Sequence, residues 1–143
     1  MKNVEVAVHG LKRAGRWLQG AEAALKDGRW DDVVYSAQMA VEQSAKAVLF
    51  ALGIDFPKEH DVSDVFLQLS NRDDLPTWFR GDVETISNLI AELAEQRGLA
   101  GYGFELGIDA EYFKPYAPQV LENARVAYQK CSKLVQELFN VPL

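Results

Sequence analysis

Arg97 is followed after four intervening residues by Tyr102 and then by Phe104, inside the glycine-rich stretch Gly98 to Gly107. A guanidinium grips phosphate through a planar fork of donors, and aromatic rings stack on a nucleobase of any kind. Together they read as a nucleotide- or RNA-binding set. The plain alternative is a cation at a helix end, where it complements the dipole, and aromatics folded back onto the core. Glu42 and Lys46 stand four apart with the acid first, the better order for a helical ion pair of roughly 0.3–0.5 kcal/mol. They are either that pair and no more, or a means of orienting Arg97 across the fold. His60 is the third candidate, because imidazole can shuttle a proton near neutral pH. Its plain reading is a residue at a helix start that makes local hydrogen bonds.

Other chemistries find little support. Two histidines, His9 and His60, and one cysteine, Cys131, give no ligand spacing, so neither a metal nor another cofactor is expected. The glycine-rich stretch lacks a Lys-Ser or Lys-Thr ending and follows no strand pattern, unlike a phosphate-cradling loop. A Ser-His-Asp arrangement is also missing. The formal net charge of −6 disfavours a general nucleic-acid coat, and DNA is not an expected partner. Lys12, Arg13 and Arg16 form one local basic cluster, which otherwise reads as a solvated helix face.

The lone cysteine cannot close an internal disulfide, and the start of the chain reads as lacking an apolar leader. The longest uncharged apolar run, Ala47 to Leu52, is far short of the roughly 18 residues of a membrane span. A cytoplasmic protein with no membrane partner is the expectation.

The elements that must position these groups follow from periodicity. From Trp30 to Gly53, Val33, Ala37, Ala40, Ser44, Ala47 and Ala51 make a stripe of small residues. Val34, Val41, Val48 and Leu52 make a larger stripe beside it. The polar strip left over is Asp31, Tyr35, Gln38, Glu42 and Lys46, along one line of the helix. Such a helix must be covered on several sides, and we take it as central, capped by Asp31. An amphipathic helix from Asn3 to Lys26 precedes it, stopped by Asp27-Gly28, and so short a link makes an antiparallel hairpin. A short helix follows Asp61. A fourth runs from Pro76 to Arg97 with Phe79, Val83, Ile86, Ile90 and Leu93 inward, and the glycine-rich stretch follows it as a loop. A last helix carries Val120, Ala124, Ala127, Cys131, Leu134 and Leu138 at heptad-like spacing. The expectation is one all-α domain over residues 1–143, an up-and-down antiparallel bundle of about five helices, four long and one short.

The stretch Tyr35 to Leu49, with an aromatic, Ala37, Gln38, Ala40-x-Glu42 and Lys46 in order, resembles the second helix of the HEPN domain family. The turn His60-Asp61-Val62 before a short helix is similar to that family, as is an Arg ending a fourth helix before an aromatic stretch. The resemblance runs from about Trp17 to Leu138. It implies a helical bundle that usually forms a homodimer. Many members are metal-independent ribonucleases, and in one branch they are toxins neutralised by a small nucleotidyltransferase-like partner. Their signature is an Arg, four to six residues, then a His, often followed by x-Tyr, in a cleft at the dimer interface.

In this chain Tyr102 stands where that His would be, and Phe104 where the Tyr would be. Phenol titrates near pH 10 and is a poor proton acceptor at neutral pH, so a general-base contribution of roughly 10²- to 10⁴-fold is missing. The resemblance and this departure point to a nucleotide-, RNA- or partner-binding domain, using Arg97, Tyr102, Phe104, Glu42, Lys46 and His60, without efficient catalysis. One rival is a metal-independent endoribonuclease that uses Arg97 with Tyr102 or His60. Another is a structural adaptor.

Overall fold

The computed structural model describes residues 2–143. Six α-helices follow in chain order: α1 (Val4–Lys26), α2 (Trp30–Leu52), α3 (Ser63–Leu67), α4 (Thr77–Arg80), α5 (Val83–Tyr102) and α6 (Ala117–Phe139). Short 3-10 turns cover Gln68–Asn71, Gly103–Leu106 and Ala110–Phe113. No strand occurs among the described residues, and the protein is all-α, as its periodicity predicts.

α2 is the central helix. It packs on α1, α5 and α6, whereas α5 and α6 scarcely meet. Both apolar stripes are buried along their whole length, from Val33 and Val34 to Ala51 and Leu52. Small side chains let α1 come close: a Cβ added at Gly10 would sit 3.5 Å from Ala47 Cβ. The hairpin between α1 and α2 turns at Gly28 and α2 ends at Gly53, both at positive φ of 71° and 73°, where a side chain would be strained.

Three local features differ from the expectation. α2 starts at Trp30, so Asp31 lies inside its first turn and accepts from the Asp32 backbone N–H instead of capping from outside. Arg29 takes the cap position with no side-chain cap of its own and pairs with Asp27 and Asp32. The expected fourth helix is divided at Gly81-Asp82 into α4 and α5, although Phe79, Val83, Ile86, Ile90 and Leu93 are all buried as predicted. The glycine-rich stretch is not a loop throughout. α5 continues through Gly98 and Gly101 to Tyr102, and at Gly101 the missing side chain lets the helix lie against Tyr35.

No helix among the described residues is long and apolar enough to cross a membrane.

Candidate functional site

The polar strip of α2 carries two separate clusters. The first is centred on Glu42, a carboxylate with only 8% of its side chain exposed. Gln38, also buried, donates from Nε2 to Glu42 Oε1 at 2.8 Å. Lys46 Nζ donates to Oε2 at 3.1 Å, and His60 Nδ1 lies 2.8 Å from Oε1. The helix supplies this arrangement directly, since residues 38, 42 and 46 are each one turn apart on a single line. His60 reaches it from the segment that leaves α2 after Gly53. With Glu42 accepting from Gln38 and Lys46 as well, a hydrogen bond from His60 places a ring proton on Nδ1, and in the neutral tautomer that fits it the lone pair is on Nε2. Half of the His60 side chain is exposed. A carboxylate behind a half-exposed imidazole is the arrangement that holds a proton acceptor in one tautomer.

The second cluster is centred on Tyr35, nearer the start of α2. Arg97 Nη2 donates to Tyr35 Oη at 2.7 Å, and Arg97 Cζ lies 4.9 Å from the tyrosine ring centroid. The same ring meets Trp17 edge-on, with centroids 6.4 Å apart, and Arg13 Cζ lies 4.6 Å from the Trp17 ring. Gly101 gives the tyrosine its room, because a Cβ there would approach Tyr35 Cε2 to 3.3 Å. Among the described residues no carboxylate pairs with Arg97, and its Nε is buried without an acceptor, as is Trp17 Nε1. The guanidinium is thus held by a phenol and leaves a partly buried positive charge without an opposite charge beside it among the described residues.

The sequence candidates thus fall into two groups. Glu42, Lys46 and His60 come together, and Glu42 orients His60, not Arg97. Arg97 sits on Tyr35, seven residues earlier on α2, which at 1.5 Å per residue is about 10 Å along the axis. Tyr102 and Phe104 do not fold back onto the core. They are 61% and 71% exposed, and Leu106 beside them is 77% exposed. The segment from Tyr102 to Leu106 therefore offers large apolar side chains outward from the Arg97 end of α5.

Tyr35 and Gln38 stand on the predicted polar strip, but the sequence does not say that each would meet a candidate residue. Trp17 and Arg13 carry no such signal, because the approach of α1 to α5 across Tyr35 is a tertiary fact. Cys131 is buried in α6, and its thiol is pushed up to about 12 by burial alone, as suits an inert core residue. No group of His, Cys, Asp and Glu among the described residues could hold a metal ion.

A family model described as HEPN domain matches residues 7–141. The chain belongs to the HEPN domain family. That match takes in α1 through α6, and so both clusters of the α2 strip. A curated protein of Methanocaldococcus jannaschii named "Putative toxin MJ1304" is 42% identical over 64 residues. Those residues are 45% of this chain and span 41% of that relative's length. No solved structure matches the chain significantly.

Proposed function

We propose that this HEPN domain binds a nucleotide or single-stranded RNA at Arg97, as one half of a homodimer, within a toxin–antitoxin-type pair whose other member is a nucleotidyltransferase-like protein. One observation carries the reading: the part-buried Arg97 guanidinium has no carboxylate partner among the described residues and is braced by Tyr35, while the exposed rings of Tyr102 and Phe104 follow at the end of α5 and just after it. Phosphate would meet the guanidinium, and bases would stack on the two rings, each stack contributing roughly 1–3 kcal/mol. The toxin name of the Methanocaldococcus relative supports the biological setting. Tyr102 is a weak base at neutral pH, so the Arg97–Tyr102 pair binds without efficient cleavage.

The test is RNA binding and cleavage by metal-free protein, with Arg97→Ala and Tyr102→His beside it. Binding lost in Arg97→Ala, with cleavage gained in Tyr102→His, supports a binding site that has lost its base. A melting temperature unmoved by any nucleotide or RNA would sink the reading and favour the adaptor. A ligand at a hundredfold excess over its Kd should add about 2.7 kcal/mol of apparent stability, well within reach of such a measurement.

A second reading has its own observation, the 2.8 Å contact that fixes His60 through Glu42. In it the protein is a metal-independent endoribonuclease whose base is His60. Its Nε2 takes the proton of a ribose 2′-hydroxyl as that oxygen attacks phosphorus, the bond to the 5′-oxygen breaks, and water protonates the leaving oxygen. Cleavage by wild-type protein that His60→Ala abolishes and Tyr102→Phe spares would establish it over the first.

A further inference from the structure

Seven arginines are spread over this acidic chain, and their pairing is uneven. Arg29, Arg72, Arg80 and Arg125 each meet at least one carboxylate. Arg13, Arg16 and Arg97 meet none among the described residues, and Arg13 and Arg97 are the outer rungs of one stack, Arg13–Trp17–Tyr35–Arg97. The separations of 4.6, 6.4 and 4.9 Å, laid end to end, cap the distance between the two guanidiniums at about 16 Å. That span suits a few nucleotides of an extended strand, and cations interleaved with rings are how single strands are held without regard to sequence.

Beyond Arg13 lies a groove between α1 and α2 of about 350 Å³, a volume within the range of small-ligand sites. Gly10 and Ala47 lie in it, Val6 and Phe50 offer apolar contact, Arg13 supplies a cation, and Lys46 lines it while paired with Glu42. No carboxylate lines it. Two acids touch its lining from outside, Glu42 through Lys46 and Glu5 at 4.0 Å from His9, so Arg13 is the lining cation that meets no carboxylate among the described residues. Phe50 is 39% exposed, enough ring for a base to lie against. Two other grooves of similar or larger size are lined by acids, one between α5 and α6 by Asp82 and Glu92 beside Lys130, the other by Asp64 and Glu84, and suit a polyanion less well.

We propose that the α1–α2 groove is a second nucleotide subsite, in which single-stranded RNA held at Arg97 passes over Tyr35 and Trp17, gives a phosphate to Arg13 and seats a base against Phe50. This rests on the Arg97 binding reading and extends it to a strand of defined path. The test is fluorescence anisotropy with a labelled single-stranded RNA of about eight nucleotides, across a salt series, on wild type, Arg97→Ala, Arg13→Ala and Phe50→Ala. Each phosphate neutralised on a single strand contributes about −0.7 to the slope of log K against log salt. Arg13→Ala should shallow the slope by about 0.7, and Phe50→Ala should weaken binding about fivefold or more with the slope unchanged. Arg13 is exposed and the Phe50 ring partly so, and matched melting curves for these variants would show that folding is kept. If Arg97→Ala weakens binding while Arg13→Ala and Phe50→Ala leave affinity and slope alone, the subsite is overturned and the Arg97 reading stands. If Arg13 and Phe50 matter and Arg97 does not, the groove binds RNA and the Arg97 reading falls. No binding at any salt overturns both.

Discussion

Replacing Glu42 by Gln tests a buried group held by three side chains. The carboxylate accepts from Gln38, Lys46 and His60 at 2.8, 3.1 and 2.8 Å, and its side chain is 8% exposed. Gln keeps the shape but replaces one accepting oxygen with an NH₂, so at least one of the three donors then faces another donor. Removing one partner of a buried ion pair costs about 3–5 kcal/mol when the other charge stays trapped. Here Lys46 and His60 are 20% and 51% exposed and can turn to water, which lowers the cost. The remaining loss is that of one or two charge-assisted bonds at about 1.5–3 kcal/mol each, so Glu42→Gln should destabilise by about 2–4 kcal/mol. For a chain of this length that is a fall in Tm of roughly 5–15 °C. Thermal unfolding followed by circular dichroism reads it, and a double-mutant cycle with His60→Ala isolates the Glu42–His60 share. ¹⁵N chemical shifts of the His60 ring give a second readout, since loss of the carboxylate should release the Nδ1–H tautomer. A Glu42→Gln protein within about 0.5 kcal/mol of wild type, with its His60 tautomer unchanged, would refute the claim that Glu42 organises this cluster.

Cys131 yields a pH prediction. The unfolded thiol titrates near its ordinary 9.0 and the buried one only near 12, so the unfolded chain releases its proton first. The contribution is fully present below pH 9 and is lost at about 1.4 kcal/mol per unit as pH rises towards 12. Urea unfolding of wild type and Cys131→Ala at about pH 8 and about pH 10.5 should show a stability difference that shrinks with pH, and a constant difference would refute it. Gly98 and Gly101 lie three apart in α5 and should respond differently to Ala. Nothing lies within 4 Å of a Cβ at Gly98, so Gly98→Ala should stabilise by about 0.5–1 kcal/mol. At Gly101 the new methyl would press on Tyr35, which Arg97 and Trp17 hold from other sides, so Gly101→Ala should gain nothing and should weaken RNA binding at Arg97. Equal gains from the two substitutions, measured by urea unfolding, would show that Tyr35 is free to move.

The bundle was legible because α2 announces itself. Two apolar stripes and a one-residue-wide polar strip leave few ways to pack such a helix, and every stripe residue is buried. What the sequence hid is what depends on the approach of a second element. Glu42 and Lys46 are visibly a pair at a spacing of four, but the distance between Glu42 and His60 depends on how the chain folds after Gly53, which periodicity does not report. Arg97 is visible as the end of an inward stripe, yet Tyr35, its partner, is sixty-two positions away in sequence. The glycines of the 98–107 stretch read as a loop because glycine weakens helices by only about 1 kcal/mol each, a cost that tertiary contacts override. At Gly101 such a contact is on view, since the missing side chain is what lets α5 lie against the tyrosine.

Both clusters hang on one line of one helix, and this bears on how a site of this kind can change its chemistry. Arg97 and His60 never touch, but each is fixed by a residue of the α2 strip, Tyr35 in one case and Glu42 in the other. The rigid rise of the helix sets their separation, so a substitution at Tyr102 should disturb neither the Arg97–Tyr35 contact nor the His60–Glu42 contact further along. On the two proposed readings, binding at Arg97 and proton transfer at His60 are separable, because each rests on its own contact with α2. Arg97→Ala should reduce the affinity of both readings of this protein, whereas His60→Ala should leave affinity unchanged and abolish whatever cleavage exists. An affinity that falls equally in both variants would mean instead that His60 and Lys46 serve as phosphate contacts, and that the Glu42 cluster is part of the grip.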